Sequence, residues 1–146
     1  MRRKLTRLFV VITMILLWTN CSTNRVVTRD VKTVADQVWT YSQTHPDGFT
    51  LELSTITEPH EGISVAYAAT QGCHSRNKLN RIVRHALSNS GYVGGWLDTT
   101  DSLYYFDSSR LFPEDSLDAA IRFGIENKQK AIYIISSGTE VRLDNR

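Results

Sequence analysis

From Asp30 onward the spacing of apolar residues changes period several times, and each change marks an element. Val31, Val34, Ala35, Val38 and Trp39 fall at i, i+3, i+4, i+7 and i+8, the stripe of an amphipathic helix, with Asp30 placed to cap its first turn. The stripe gives way to Pro46-Asp47-Gly48, a turn in which proline presets φ, aspartate bonds its own backbone and glycine allows positive φ. FTLELS then alternates Phe49, Leu51 and Leu53 with polar residues, and GISVAY alternates Ile63, Val65 and Tyr67 with smaller ones. Both predict half-buried strands, joined through TITEPHEG.

Leu79, Ile82, Val83, Ala86 and Leu87 repeat the helical stripe, which stops near Ser90-Gly91. YVGGWL and LYYF predict two further strands around DTTDS. A third helix follows Pro113, with Leu117, Ala120, Ile121, Gly124 and Ile125 on one side and Glu114 and Asp115 where the helix dipole favours acids. AIYIIS, a Ser137-Gly138 turn and EVRL predict a closing hairpin. The predicted order is α-β-β-α-β-β-α-β-β, a single α+β domain with a mainly antiparallel sheet of hairpins and helices packed on one face. An offset of 38 residues sets Tyr67 against Tyr105, and Leu79, Val83 and Leu87 against Leu117, Ile121 and Ile125, a repeated hairpin-plus-helix plan.

The first residues follow a different logic. Arg2, Arg3, Lys4 and Arg7 precede an apolar run of eleven residues from Leu8 to Trp18. As a helix the run covers roughly 16 Å, short of the ~30 Å hydrocarbon core, so it reads as the apolar region of a secretory signal rather than a membrane span. A cysteine, Cys21, follows directly in WTNCSTN, and this arrangement resembles the lipobox of bacterial lipoproteins, where cleavage exposes a cysteine that is then lipidated. The usual pattern has leucine three positions before the cysteine and small residues just before it; this chain has Trp18, Thr19 and Asn20. The competing expectation is an exported protein cut nearby, with Cys21 free or in a disulfide. The resulting division is a signal peptide over 1–20, a short polar tether over 21–29 and one folded domain over 30–146.

This division changes the meaning of the charge. Removing those four basic residues takes 17 cations to 13 against 15 acidic residues, so a formal charge of +2 becomes −2. The basic balance of the full chain is therefore a property of the leader and says nothing for nucleic acid. SRNKLNRIVRH does put Arg76, Lys78, Arg81, Arg84 and His85 near one side of the second helix, but without interleaved aromatics. No nucleic-acid partner is expected.

Candidate chemistry is sparse. The two cysteines, Cys21 and Cys73, and the four histidines, His45, His60, His74 and His85, lack metal-ligand spacing, so no metal site is expected. No glycine-rich phosphate loop is present, since Gly94-Gly95 does not precede a helix, and no cofactor is expected. Cys73 with His74 or His85 would make a thiol nucleophile only within hydrogen-bond reach. Asp98 and Asp107 are a candidate acid and base whose separation the spacing leaves open.

The densest stretch is GYVGGWLDTTDSLYYFDSSRLF, from Gly91 to Phe112. It supports two readings. In one, Trp96, Asp98, Tyr104, Asp107 and Arg110 form the wall of a site for a protein or small-molecule partner. In the other, Trp96 and Tyr105 fill the core while Asp107 and Arg110 pair or cap the next connection, and this second reading is the commoner fate of aromatics at strand spacing. Gly94-Gly95 would admit a close approach or form a bulge.

VGGWLD, then YYFDSSRLFP, then a helix leading to NKQKAIYII, resembles a small uncharacterised α+β domain found in bacterial lipoproteins and in multidomain proteins of phages and mobile elements. The resemblance spans roughly 63–143 and implies a fold unit without implying an activity. Taken together, the expectation is an exported, lipid-anchored module of the cell envelope, tied to the membrane at Cys21 and binding a partner. The alternatives are a small envelope hydrolase using Cys73 or the Asp98/Asp107 pair, and a nucleic-acid-associated accessory domain of mobile-element origin.

Overall fold

The computed structural model describes residues 30–143. They form α1 (Val31–Ser42), β1 (Phe49–Glu52), β2 (Ile63–Ala66), α2 (Arg76–Ser88), β3 (Tyr92–Asp98), β4 (Leu103–Phe112), α3 (Leu117–Glu126), β5 (Ala131–Ile134) and β6 (Thr139–Arg142). The predicted order holds. Single turns of 3-10 helix, Ala68–Thr70 and Glu114–Ser116, precede α2 and α3. Asp30 caps α1 as expected, its carboxylate accepting from Thr33 N at 3.3 Å. The expected signal segment, tether and Cys21 lie outside the described residues.

All six strands form one antiparallel sheet in the order β1-β3-β4-β2-β5-β6. The expected plan of consecutive hairpins holds for β3–β4 and β5–β6 and fails for β1 and β2. Those two strands do not pair; the β3–β4 hairpin stands between them, with β1 on β3 and β2 on β4. The reason lies in the core. β1 places Phe49 and Leu51 under α1 and α2 with Val34, Val38, Leu79, Val83, Val93 and Phe106, whereas β2 places Ile63 and Val65 under α3 with Phe112, Ile121 and Ile132. Each strand follows its own helices, and the ten-residue β4 is long enough to span both clusters.

That length is the second departure from expectation. LYYF predicts a strand ending at Phe106, because Asp107-Ser108-Ser109-Arg110 has the composition of a loop; the strand continues to Phe112. Asp107, Ser108 and Ser109 are all buried in it. Burial of polar groups is tolerated where partners exist: Ser108 N donates to Thr70 Oγ1 at 2.9 Å, the Ser108 hydroxyl meets His85 Nδ1 at 2.9 Å, and the Ser90 hydroxyl donates to Ser109 O.

The helical phasing is right at the centres and too generous at the ends. Val83 and Ile121 are buried, while Leu87, Leu117 and Ile125, placed on the apolar stripes, are exposed. Gly124 sits at the α3 crossing, where a Cβ would stand 2.6 Å from Leu143 Cδ1 and 3.1 Å from Ile132 Cγ2. That crossing brings α3 close to β5 and to Leu143.

Candidate functional site

Register and alternation divide the sheet's side chains into two sets. Leu51, Val93, Phe106, Val65 and Ile132 face the helices. Thr50, Ser64, Ala66, Gly94, Trp96, Asp107, Ser109, Ala131 and Tyr133 belong to the opposite set, and together they line a cleft of about 530 Å³. Asp47, Gly48 and Glu58 from loops, with Gln129 and Glu140 from the β5–β6 side, also line it, as do Phe49, Gly95, Ile132 and Ile135.

One cleft can be lined by both β1 and β5, four strands apart, only if the sheet curls strongly. Thr50 Oγ1 on β1 donates to Ser64 Oγ on β2 at 3.1 Å, across the width of β3 and β4. The curl depends on small residues on the concave side. A Cβ on Gly94 would lie 3.2 Å from Ser109 Oγ, so glycine there admits the neighbouring strand's hydroxyl. Gly95 serves the other face, where a Cβ would stand 2.6 Å from Phe49 Cζ. The adjacent glycines thus have two tasks, one on each side of the sheet.

Asp107 sits in this concave wall with 7% of its surface exposed, and its Oδ1 has no hydrogen-bond partner among the described residues. Burial without compensation pushes its carboxyl pKa up to about 7. Glu58 accepts from the Tyr41 hydroxyl at 2.6 Å, and Glu140 pairs with Arg142 at 3.3 Å. Burial first, and then the bond to Glu58, push the Tyr41 hydroxyl up to about 12, so it remains a donor.

The residues singled out from sequence scatter. Trp96 lines the cleft and is 41% exposed, its ring stacked on Tyr105 at 5.6 Å and 16°; it does not fill the core. Tyr104 packs on the helix side against Trp39 and Phe106. Arg110 is also on that side, with its guanidinium 4.6 Å from the Phe112 ring centroid and 5.3 Å from that of Phe123. Asp107 and Arg110 stand three residues apart within one strand and therefore face opposite ways, so the expected pairing between them is not made. Asp98 ends β3, where its carboxylate accepts from the Thr100 hydroxyl and from Thr100 N, bonds that hold its pKa below the usual range.

Neither catalytic pairing is assembled. Asp98 is four residues along β3 from Gly94, which faces Asp107, roughly 13 Å at the rise of a strand. Cys73 is buried against the α1–α2 cluster, while the His85 ring bonds Ser108 and packs on Tyr67; His74 packs on Tyr105. Among the described residues, no group of three His, Cys, Asp or Glu side chains is arranged to hold a metal ion, and no helix is long and apolar enough to cross a membrane.

Of the five residues expected to wall a site, Trp96 and Asp107 line this cleft, and Asp98, Tyr104 and Arg110 do not. Sequence reasoning missed Ser109, two residues from Asp107 in β4, and Thr50, Ser64, Gln129 and Tyr133, which come from other stretches of chain. A signal existed in the small and polar residues that alternate with the apolar ones in β1 and β2, but it could not say that these faces converge. Comparison of the chain with known protein families, with curated proteins and with solved structures returned no match.

Proposed function

We propose that the protein is an exported, lipid-anchored binding module of the cell envelope, and that its ligand occupies the cleft around Asp107. The N-terminal charge, apolar run and Cys21 support export and anchoring. The observation that carries the binding reading is Asp107 itself, a buried carboxyl with an unpartnered oxygen on the wall of a cleft of ligand size. Buried polar groups are normally satisfied, and those that are not concentrate where a ligand completes them. Mixed aromatic and hydroxyl walls, supplied here by Trp96, Tyr133, Thr50, Ser64 and Ser109, are suited to orienting a small molecule or a protruding side chain.

The hydrolase alternatives have less support, since neither Cys73 with a histidine nor Asp98 with Asp107 forms a working pair. A nucleic-acid role has less again. Arg76 is paired with Asp36 at 2.6 Å, and Arg81 donates to Ala69 O at 3.1 Å, so part of the basic side of α2 serves the fold.

Two measurements test the proposal. Cys21→Ser should leave the precursor uncleaved or release the protein from the membrane fraction; membrane partitioning with unchanged mass would refute anchoring. Capture of envelope components by the full chain should be lost when Ser109→Leu fills the cleft, with the melting curve showing that the variant is folded. Undiminished capture would move the site elsewhere.

A further inference from the structure

The binding reading leaves the ligand's chemistry open, and the charges around the cleft narrow it. Asp47, Glu58, Asp107 and Glu140 line it, and among the described residues no lysine, arginine or histidine does. Carboxylates gathered on low-dielectric walls focus a negative potential into the space between them. Asp107 makes the case more than a cluster of surface acids: it is more than nine-tenths buried, lines the cleft and has an oxygen without a partner among the described residues. An anion meets repulsion from Asp47, Glu58 and Glu140, and from Asp107 wherever it is ionised. A neutral sugar would suit the hydroxyls and rings but would gain nothing from the field. A metal ion lacks a converging ligand set among the described residues.

We propose that the cleft recognises an aliphatic ammonium group, with Asp107 as its buried counter-ion; the inference rests on the cleft being the binding site. An ammonium has three N–H donors and no acceptor, which matches a wall rich in carboxylate and hydroxyl oxygens. Asp107 Oδ1 takes one of these donors, and the Ser109 and Thr50 hydroxyls stand on the same side of the sheet for the others. Trp96, backed by Tyr105, offers an aromatic surface at the rim that attracts cations and covers the aliphatic stem. Glu58 and Glu140 are already held by Tyr41 and Arg142, so they contribute potential rather than direct bonds.

Two sources share this chemistry, a free diamine and the lysine side chain of a partner. The test is calorimetric titration of the full chain in detergent micelles with cadaverine and with N-acetyl-lysine amide, against 1,5-pentanediol and N-acetyl-norleucine amide as uncharged counterparts. The expected result is a preference of at least about ten-fold for the charged member of each pair, lost in Asp107→Asn, as for a charge-assisted bond at a desolvated site. Tighter binding of cadaverine identifies a free amine, and tighter binding of the lysine derivative identifies a partner's side chain. Should Asp107→Asn fail to fold, Glu58→Gln combined with Glu140→Gln supplies the second arm: it should weaken cation binding several-fold and flatten its salt dependence. Equal binding of charged and uncharged probes, or binding of neither, overturns the ammonium assignment. The cleft itself stands or falls separately, on the Ser109→Leu capture experiment, whatever the ligand's charge.

Discussion

The Thr50 hydroxyl donates to the Ser64 hydroxyl at 3.1 Å although their strands are first and fourth in the sheet. Three inter-strand spacings of a flat sheet amount to roughly 14 Å, so the bond records how far the sheet has rolled on itself. Replacing Thr50 by Val keeps the shape and leaves Ser64 without its donor. The expected cost is about 1 kcal/mol in denaturant unfolding, together with weaker ligand capture as the curl relaxes. A variant as stable as the parent, with capture intact, would mean that the bond follows the curl without holding it.

Asp107 ties stability to pH. Its folded pKa, about 7, lies above the ordinary carboxyl value of 3.8, so the folded state holds a proton that the unfolded chain has lost. The associated stability is fully present below about pH 4 and is lost as pH rises to about 7. A shift of this size corresponds to a few kcal/mol as an order of magnitude. Asp107→Asn should therefore melt near the parent at pH 4 and above it at pH 8. A parent-minus-variant difference that does not change with pH would show that Asp107 is compensated in solution.

The adjacent glycines should respond unequally to alanine. At Gly95 a new methyl meets the Phe49 ring, which Tyr41 and Phe106 hold in place, and overpacking of this kind costs about 1 to 3 kcal/mol. Gly94→Ala meets Ser109 Oγ at the looser distance of 3.2 Å, and it should cost less stability while narrowing the cleft. Equal melting temperatures for the two variants would contradict the assignment of one glycine to each face.

Trp96→Ala should cost about 1 to 2 kcal/mol, below the 3 to 5 typical of a core tryptophan, because the ring is 41% exposed and loses chiefly its stack on Tyr105. Arg110→Gln should cost about 0.5 to 1 kcal/mol through its contacts with Phe112 and Phe123. In a double-mutant cycle Asp107→Asn and Arg110→Gln should add to within about 0.5 kcal/mol. Coupling beyond that would mean that the two side chains meet, against their opposite facing in β4.

Val83→Asp and Ile121→Asp each place an unpaired charge in a different half of the core, and each should cost several kcal/mol and prevent folding. A folded circular dichroism spectrum with an ordinary melt from either variant would refute the helical phasing.

What the sequence determined by itself was local. Periods of 3.6 and 2 placed every helix and strand in order, Asp30 announced its cap, and Val83 and Ile121 announced the buried helix faces, because these features depend on neighbours within a few residues. Tertiary structure decided the rest. Asp107-Ser108-Ser109 reads as loop chemistry, yet it continues the ladder with β3 and β2, while Thr70, His85 and Ser90 arrive from elsewhere to bond Ser108 and Ser109. The separation of β1 from β2 depends on which helices each strand covers, a long-range preference with no local mark. The cleft depends on both: it exists because a curled sheet turns residues of all six strands toward one space, and curl is a property of packed strands rather than of any one of them.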